Sequence, residues 1–185
     1  MQWKPAATFA LIPVSALIAP AVAHAKIYIS VEETQHRLFP GEKLTQNPIA
    51  LTEAQHEKMR ELSSVREPFR GERVWKTAKG DWFIVDEVVG KHEMVKYALA
   101  INADGTIKGI EIMEYVESYG YEVGEASWRN QFVGKTADAT LKLNKDIKNI
   151  AGATLSCGHV TQGVRWLMAL WEVSLRAGGS ASPAA

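Results

Sequence analysis

The chain is short of the residues on which several kinds of function depend. Its 185 residues contain one cysteine, Cys157. A single thiol excludes an internal disulfide, a cysteine-ligated iron–sulfur cluster and a Cys-x-x-Cys-His haem attachment within this chain. Basic residues are not in excess, with 21 Lys and Arg against 21 Asp and Glu. The electrostatic footprint of phosphate neutralisation is therefore missing, and nucleic acid is not expected as a partner. His36, His56, His92 and His159 show no metal-ligand spacing, so no metal is assigned. Cys157 and His159 are two residues apart on an expected helix and point to different faces, which argues against a nucleophile–base pair. No internal repeat is visible.

What is present begins with an export signal. Residues 1–25 read as a secretory signal peptide: Lys4 gives the positive start, residues 6–22 are small and apolar, and Ala23-His24-Ala25 is an Ala-x-Ala cleavage site. Pro13 and Pro20 interrupt the apolar stretch, which at roughly 17 residues is at the short limit for spanning a bilayer. Cleavage is expected; the alternative is an uncleaved membrane anchor. Both place the rest of the chain outside the cytoplasm, and the expected location is the periplasm. Lys4 is the only charged residue in the signal, so the remaining 160 residues carry 20 basic and 21 acidic groups, a formal charge of −1. That length suffices for one domain, residues 26–177, with a disordered Gly-, Ser-, Ala- and Pro-rich tail at 178–185.

Hydrophobic periodicity gives the order of elements. Residues 26–31 are a short β-like run. Residues 52–62 open on Thr52 as N-cap, carry acid early and Lys58 and Arg60 late, and read as a surface helix. Strands are expected at 73–78 and 82–89 around Lys79-Gly80-Asp81, and at 93–102 and 106–115 around Ala103-Asp104-Gly105, a strong hairpin signal. In 93–102, Val95, Tyr97, Leu99 and Ile101 share one face, opposed by Met94, Lys96, Ala98, Ala100 and Asn102. In 106–115, Ile107, Gly109, Glu111 and Met113 are set against Lys108, Ile110, Ile112 and Glu114. Residues 117–121 form a loop, 126–134 a short helix, and 135–149 a polar irregular stretch. From Ser156 to Arg176, Val160, Val164, Leu167, Met168, Trp171 and Leu175 follow helical spacing and should lie on the sheet. Arg165, Glu172 and Arg176 argue against a membrane span there. The expected fold is α+β: an antiparallel sheet with helices packed on one face and a long C-terminal helix after a Gly-Ala-Thr loop.

That loop carries the chemistry. In Asp146-Ile147-Lys148-Asn149-Ile150-Ala151-Gly152-Ala153-Thr154-Leu155-Ser156, a threonine hydroxyl stands where the last helix begins. Unpartnered N–H groups and the helix dipole make that place an anion site suited to phosphate. From the local chemistry alone, Thr154 and Ser156 read first as plain helix caps, by far the commonest role of Ser or Thr at such a position.

The segment resembles the Asp-x-x-x-x-Ser-Gly-Ala-Thr signature of the FMN-binding domain, found in flavin subunits of the sodium-translocating NADH:quinone reductase and of the Rnf complex. Glu117-Ser118-Tyr119-Gly120 is similar to that family's Glu-Thr-Pro-Gly, and Trp128, Phe132, Gly134 and Lys135 to its Trp-x-x-x-Phe-x-Gly-Lys. The order of elements matches over about residues 81–175. Ala151 departs from the usual serine, and Ser118-Tyr119 from Thr-Pro.

The resemblance implies FMN joined covalently to Thr154 through a phosphoester. Gly152 and Ala153 would allow close approach of the phosphate, and Ser156 would cap the helix and donate to the phosphate. Asp146 would serve recognition by a flavin transferase. Glu117 and Gly120 would lie near the ring, and Leu155 and Tyr119 would pack on it. The implied role is an exported electron carrier served by a membrane redox protein as donor or acceptor. The alternatives are a non-redox periplasmic binding or assembly module of the same fold, favoured by Ala151, and a small flavoenzyme.

Overall fold

The computed structural model describes residues 27–178. The expected signal peptide lies outside the described residues, as does the expected tail beyond Gly178. The centre is a run of four strands joined by tight turns: β3 (Val74–Thr77), β4 (Trp82–Val89), β5 (Met94–Ile101) and β6 (Ile107–Tyr115). Two short strands extend the sheet, β1 (Ile27–Tyr28) beside β6 and β2 (Leu44–Gln46) beside β3. The order is β1-β6-β5-β4-β3-β2, with every neighbouring pair antiparallel. The limits expected for the four central strands match within a residue, whereas the run expected at 26–31 is a strand only at Ile27–Tyr28 and β2 is not among the expected strands.

The long helix α4 (Thr154–Val173) closes one face of the sheet. Val160, Val164, Leu167, Met168, Trp171 and Leu175, expected on the sheet side, are all buried. Trp166 and Leu170 are buried as well, because a second helix, α2 (Glu53–Ser63), packs across α4 from outside. α2 starts where the sequence places it. The Thr52 side chain accepts from the Gln55 N–H, and the Gln55 side chain accepts from the Thr52 N–H, a reciprocal cap of about 1 kcal/mol. Among the described residues no helix is long and apolar enough to cross a membrane.

The opposite face has its own smaller cover. Phe39, Phe83, Val85, Ala98, Ala100 and Met113 form a second cluster, with Val31 and Leu38 of α1 (Val31–Leu38) packed on it. Sequence reading treats Val31 as the end of a strand and misses α1. The signal is nevertheless there: the Ser30 hydroxyl caps the Glu33 N–H at 3.0 Å.

The alternation assigned to β6 needs correction. Ala100 pairs with Gly109, but Ile101 pairs with Ile107, so the register slips at Lys108; a second slip separates Lys96↔Glu114 from Tyr97↔Ile112. Two bulges therefore place Ile107, Ile110, Ile112 and Tyr115 together in the core under α4. An extra residue on one strand reverses the facing of everything beyond it. No bulge interrupts the pairing of β4 with β5, and β5 alternates as expected.

Residues 126–134 are helical only over α3 (Ala126–Arg129), preceded by a 3-10 turn at Tyr121–Gly124 that sequence reading assigns to no element. Residues 135–149 are irregular, as expected.

Candidate functional site

Three segments meet at the end of the sheet where β4 and β6 finish and β5 begins. They are the β4–β5 turn at 90–93, the loop at 116–120 and the turn into α4 at 150–156. Each is fixed by a different device.

In 150–156, the Ala153 N–H donates to the Ile150 carbonyl at 3.1 Å, with Gly152 between them at φ +85°. A four-residue turn with a left-handed third residue suits glycine, since a side chain there strains the backbone. Ala153 is the N-cap of α4 and offers no side-chain cap; its carbonyl takes the first helical bond from Cys157 N–H at 2.9 Å. The N–H groups of Thr154, Leu155 and Ser156 thus have no intrahelical partner, and the helix dipole adds partial positive charge to them.

Two expectations shift here. Thr154 is the first residue of the helix rather than the last of a loop. Ser156 does not cap; it is 2% exposed, with Oγ 3.4 Å from the Tyr115 hydroxyl. The Thr154 hydroxyl stays at the surface and accepts from Asn149 Nδ2 at 2.8 Å.

The 116–120 loop is drawn onto this turn. Gly120 has φ +82°, and a Cβ there would collide with the Ala153 side chain, so only glycine lets the two segments touch. The Tyr115 hydroxyl donates to the Tyr119 carbonyl at 2.5 Å. Burial raises this phenol above its ordinary range, which keeps it a donor.

Glu117 ties the loop to the third segment. Its Oε1 accepts from His92 N–H at 2.6 Å and Glu93 N–H at 3.1 Å. Gly90 leaves the room this requires, since a Cβ there would lie 2.6 Å from that oxygen. Burial alone would raise the carboxyl. The backbone N–H groups of His92, Glu93 and Lys91 outweigh it and hold Glu117 below the usual carboxylate range.

The three segments enclose a cleft of about 330 Å³ lined by Lys91, His92, Glu117, Ser118, Tyr119 and residues 152–156. Tyr119 and Leu155 stand exposed on its rim, at 72% and 51%. The cleft suits a phosphate carrying a flat apolar group. It offers main-chain N–H groups, two basic side chains and an apolar edge, while its one carboxylate is already occupied by its own amides. A wider groove of about 900 Å³ between α2 and α4 holds none of the expected site residues. Of its basic groups, Lys58 pairs with Glu61 and Arg176 with Glu172.

Thr154, Ala153, Gly152, Leu155, Ser156, Glu117 and Tyr119 therefore come together from two distant stretches of chain. Gly120 sits behind the cleft against Ala153 and does not line it. Asp146 stands apart from the cleft lining. It accepts from Leu141 N–H at 3.0 Å and Lys142 N–H at 2.9 Å, and lies 3.5 Å from Lys135 Nζ, closing the 141–147 loop. Burial would raise its carboxyl, but those amides and Lys135 bring it below the ordinary value. Ala151 is exposed on the turn and absent from the lining, so its missing hydroxyl falls outside the cleft.

Sequence reading missed Lys91, His92 and Asn149. Lys91 and His92 sit in the gap between two expected strands, where a pair of basic residues is an ordinary solvated turn. Cys157 is fully buried, and burial raises its thiol, leaving it unreactive. His159 Nδ1 lies 2.5 Å from the Val89 carbonyl, an acceptor, so that nitrogen carries the proton. Among the described residues no group of three or more His, Cys, Asp or Glu is arranged to hold a metal ion.

Residues 90–168 match the FMN-binding domain family. The matched span opens in the β4–β5 turn and ends within α4, so every residue lining the cleft falls inside it. A search of curated proteins returned no match.

Proposed function

We propose that this chain, whose residues 90–168 match the FMN-binding domain family and so support a flavin-binding role, is an exported electron carrier with FMN joined to Thr154 through a phosphoester. The observation carrying this reading is the exposed Thr154 hydroxyl at the head of a helix whose first three N–H groups have no intrahelical partner.

Attachment is a group transfer from a flavin dinucleotide, catalysed by a flavin transferase. A bond forms between Thr154 Oγ1 and phosphorus, the bond from phosphorus to the departing nucleotide breaks, and the hydroxyl proton passes to a base of the transferase. The linked phosphate keeps one negative charge, which the first turn of α4 stabilises. Gly152 and Ala153, lacking bulk, leave the phosphate room. Leu155 and Tyr119 form the apolar edge, and Lys91 in the same lining supplies positive charge. Bound FMN supplies one- or two-electron chemistry at its ring. The chain's residues hold it, exclude part of the water and set the charge around it.

An exported protein meets little free flavin, so a dissociated cofactor is not replaced. Even nanomolar affinity, about −12 kcal/mol, gives a finite residence time. A covalent bond removes that loss. Electrons come from, or go to, a membrane-bound redox protein.

Co-production of the full chain with a flavin transferase tests this reading. A denaturing gel under ultraviolet light should show a fluorescent band that Thr154→Ala abolishes. A dark wild-type band, or a fluorescent Thr154→Ala band, overturns it.

A further inference from the structure

Resting on the Thr154 attachment reading, we propose that Asn149 is a positioning residue for modification of that threonine. Its side-chain amide fixes the hydroxyl and leaves the hydroxyl's own hydrogen free to depart.

The contact is direct: Asn149 Nδ2 donates to Thr154 Oγ1 at 2.8 Å, across the turn that Gly152 closes. A hydroxyl oxygen has two lone pairs and one hydrogen. With Asn149 as donor, one lone pair is occupied and held in place. The other lone pair is available to form the bond to phosphorus, and the proton is not engaged by this contact.

The residues just before Asn149 are held in place. The Lys148 N–H donates to Gln131 Oε1 at 2.7 Å, and the Lys148 carbonyl accepts from Trp128 Nε1 at 2.9 Å. Ile147, two residues before Asn149, is buried in the core. The Trp128 side of the Trp-x-x-x-Phe piece thus reaches the acceptor oxygen through two contacts, Trp128 to Lys148 and Asn149 to Thr154.

One further observation separates positioning from stability. Asn149 Oδ1 is buried and has no hydrogen-bond partner. A buried carbonyl without a donor is unfavourable, so replacing the amide by an apolar group of the same shape should not weaken the fold. Leucine has that shape. Asn149→Leu should therefore keep or raise thermal stability while removing the contact to Thr154. A purely structural Asn149 would lose nothing in modification by this change.

The experiment measures flavin incorporation into the full chain by purified flavin transferase with flavin adenine dinucleotide. Rates are split into KM for the acceptor protein and kcat. Asn149→Leu should lower kcat about tenfold to a hundredfold with KM little changed, as expected when an attacking atom loses its fixed position. Asn149→Ala should behave alike and serves if the leucine variant does not fold. On unmodified wild type, NMR three-bond couplings to the Thr154 methyl should report one χ1 rotamer, and averaging of that rotamer in Asn149→Leu. Equal rates for wild type and Asn149→Leu, or an averaged rotamer in wild type, overturn this inference alone. A wild type that accepts no flavin overturns the attachment reading and this inference with it.

Discussion

Asp86 and Glu117 are buried alike, 9% and 7% exposed, yet they leave the ordinary carboxylate range in opposite directions. Asp86 lies on β4 beneath the middle of α4, where Tyr97 Oη donates to it at 2.9 Å. Burial dominates there and raises Asp86; the Tyr97 hydroxyl, one backbone N–H from Glu87 and the attraction of Arg70 do not compensate. It raises the Tyr97 phenol too, with Asp86 adding to the effect. Glu117 lies at the end of the sheet, where a turn aims three main-chain N–H groups at it, and it is held below its range. Desolvation acts on both, more strongly at the deeper Asp86, and Glu117 has three amide donors where Asp86 has one. The ladder consumes its N–H groups in the middle of the sheet. At its end, turns and a helix start leave N–H groups unspent by secondary structure. An anion is therefore stabilised at the end and penalised in the middle, and the Thr154 hydroxyl stands at the end.

Substitutions can break this contrast. Glu117→Ala strips two amides of a charged acceptor and should cost about 3 kcal/mol in urea unfolding. It should also speed amide exchange at His92 and Glu93. Asp86→Ala leaves the Tyr97 hydroxyl buried without an acceptor and should cost about 2 kcal/mol. Gly152→Ala meets no atom within 4 Å and tests backbone strain alone at φ +85°; it should cost about 1 kcal/mol. Asp86→Asn keeps an acceptor for Tyr97 and removes the penalised charge, so its effect near pH 7 should be neutral or mildly stabilising, within about 1 kcal/mol. If Asp86→Asn destabilises as much as Glu117→Ala, the two sites do not differ as described.

Titration sharpens the comparison. Glu117 has a lowered folded pKa, so its contribution is present above the unfolded value of about 4.3 and is lost as pH falls through the folded value. Asp86 has a raised folded pKa. Its favourable contribution is present below the unfolded value of about 3.9 and is lost as pH rises through the folded value. The stability of Asp86→Asn relative to wild type should therefore grow as pH rises from about 4 and then level off. Paired urea titrations across that range check the sign.

The same contrast explains what could be read from the chain. Regular pairing was legible: Lys79-Gly80-Asp81 and Asp104-Gly105 announce hairpins, and Val160 to Leu175 announce the buried stripe of α4. The bulges at Lys108 and near Met113 were not, because a slip in register follows from packing across the sheet and leaves no local mark. α1 was missed although Ser30 and Glu33 carry a capping pattern, since the preceding β-like run was extended through Val31. At the site, residues 152–156 were legible because glycine and a helix start have fixed chemistry. Glu117 was placed with them by resemblance alone. Its partnership with the 90–93 turn joins residues 25 positions apart, a contact that only the folded sheet creates. Asp146 shows the reverse, an acid within the legible motif whose bonds close a different loop.

The central claim is a bond at one oxygen. Intact-mass measurement of the full chain co-produced with a flavin transferase, followed by peptide fragmentation, examines it directly. The account predicts a mass increase of one FMN less one water, carried by the peptide containing Thr154 and assigned to that side chain. An unmodified Thr154 in protein that still carries yellow, dissociable flavin would contradict it.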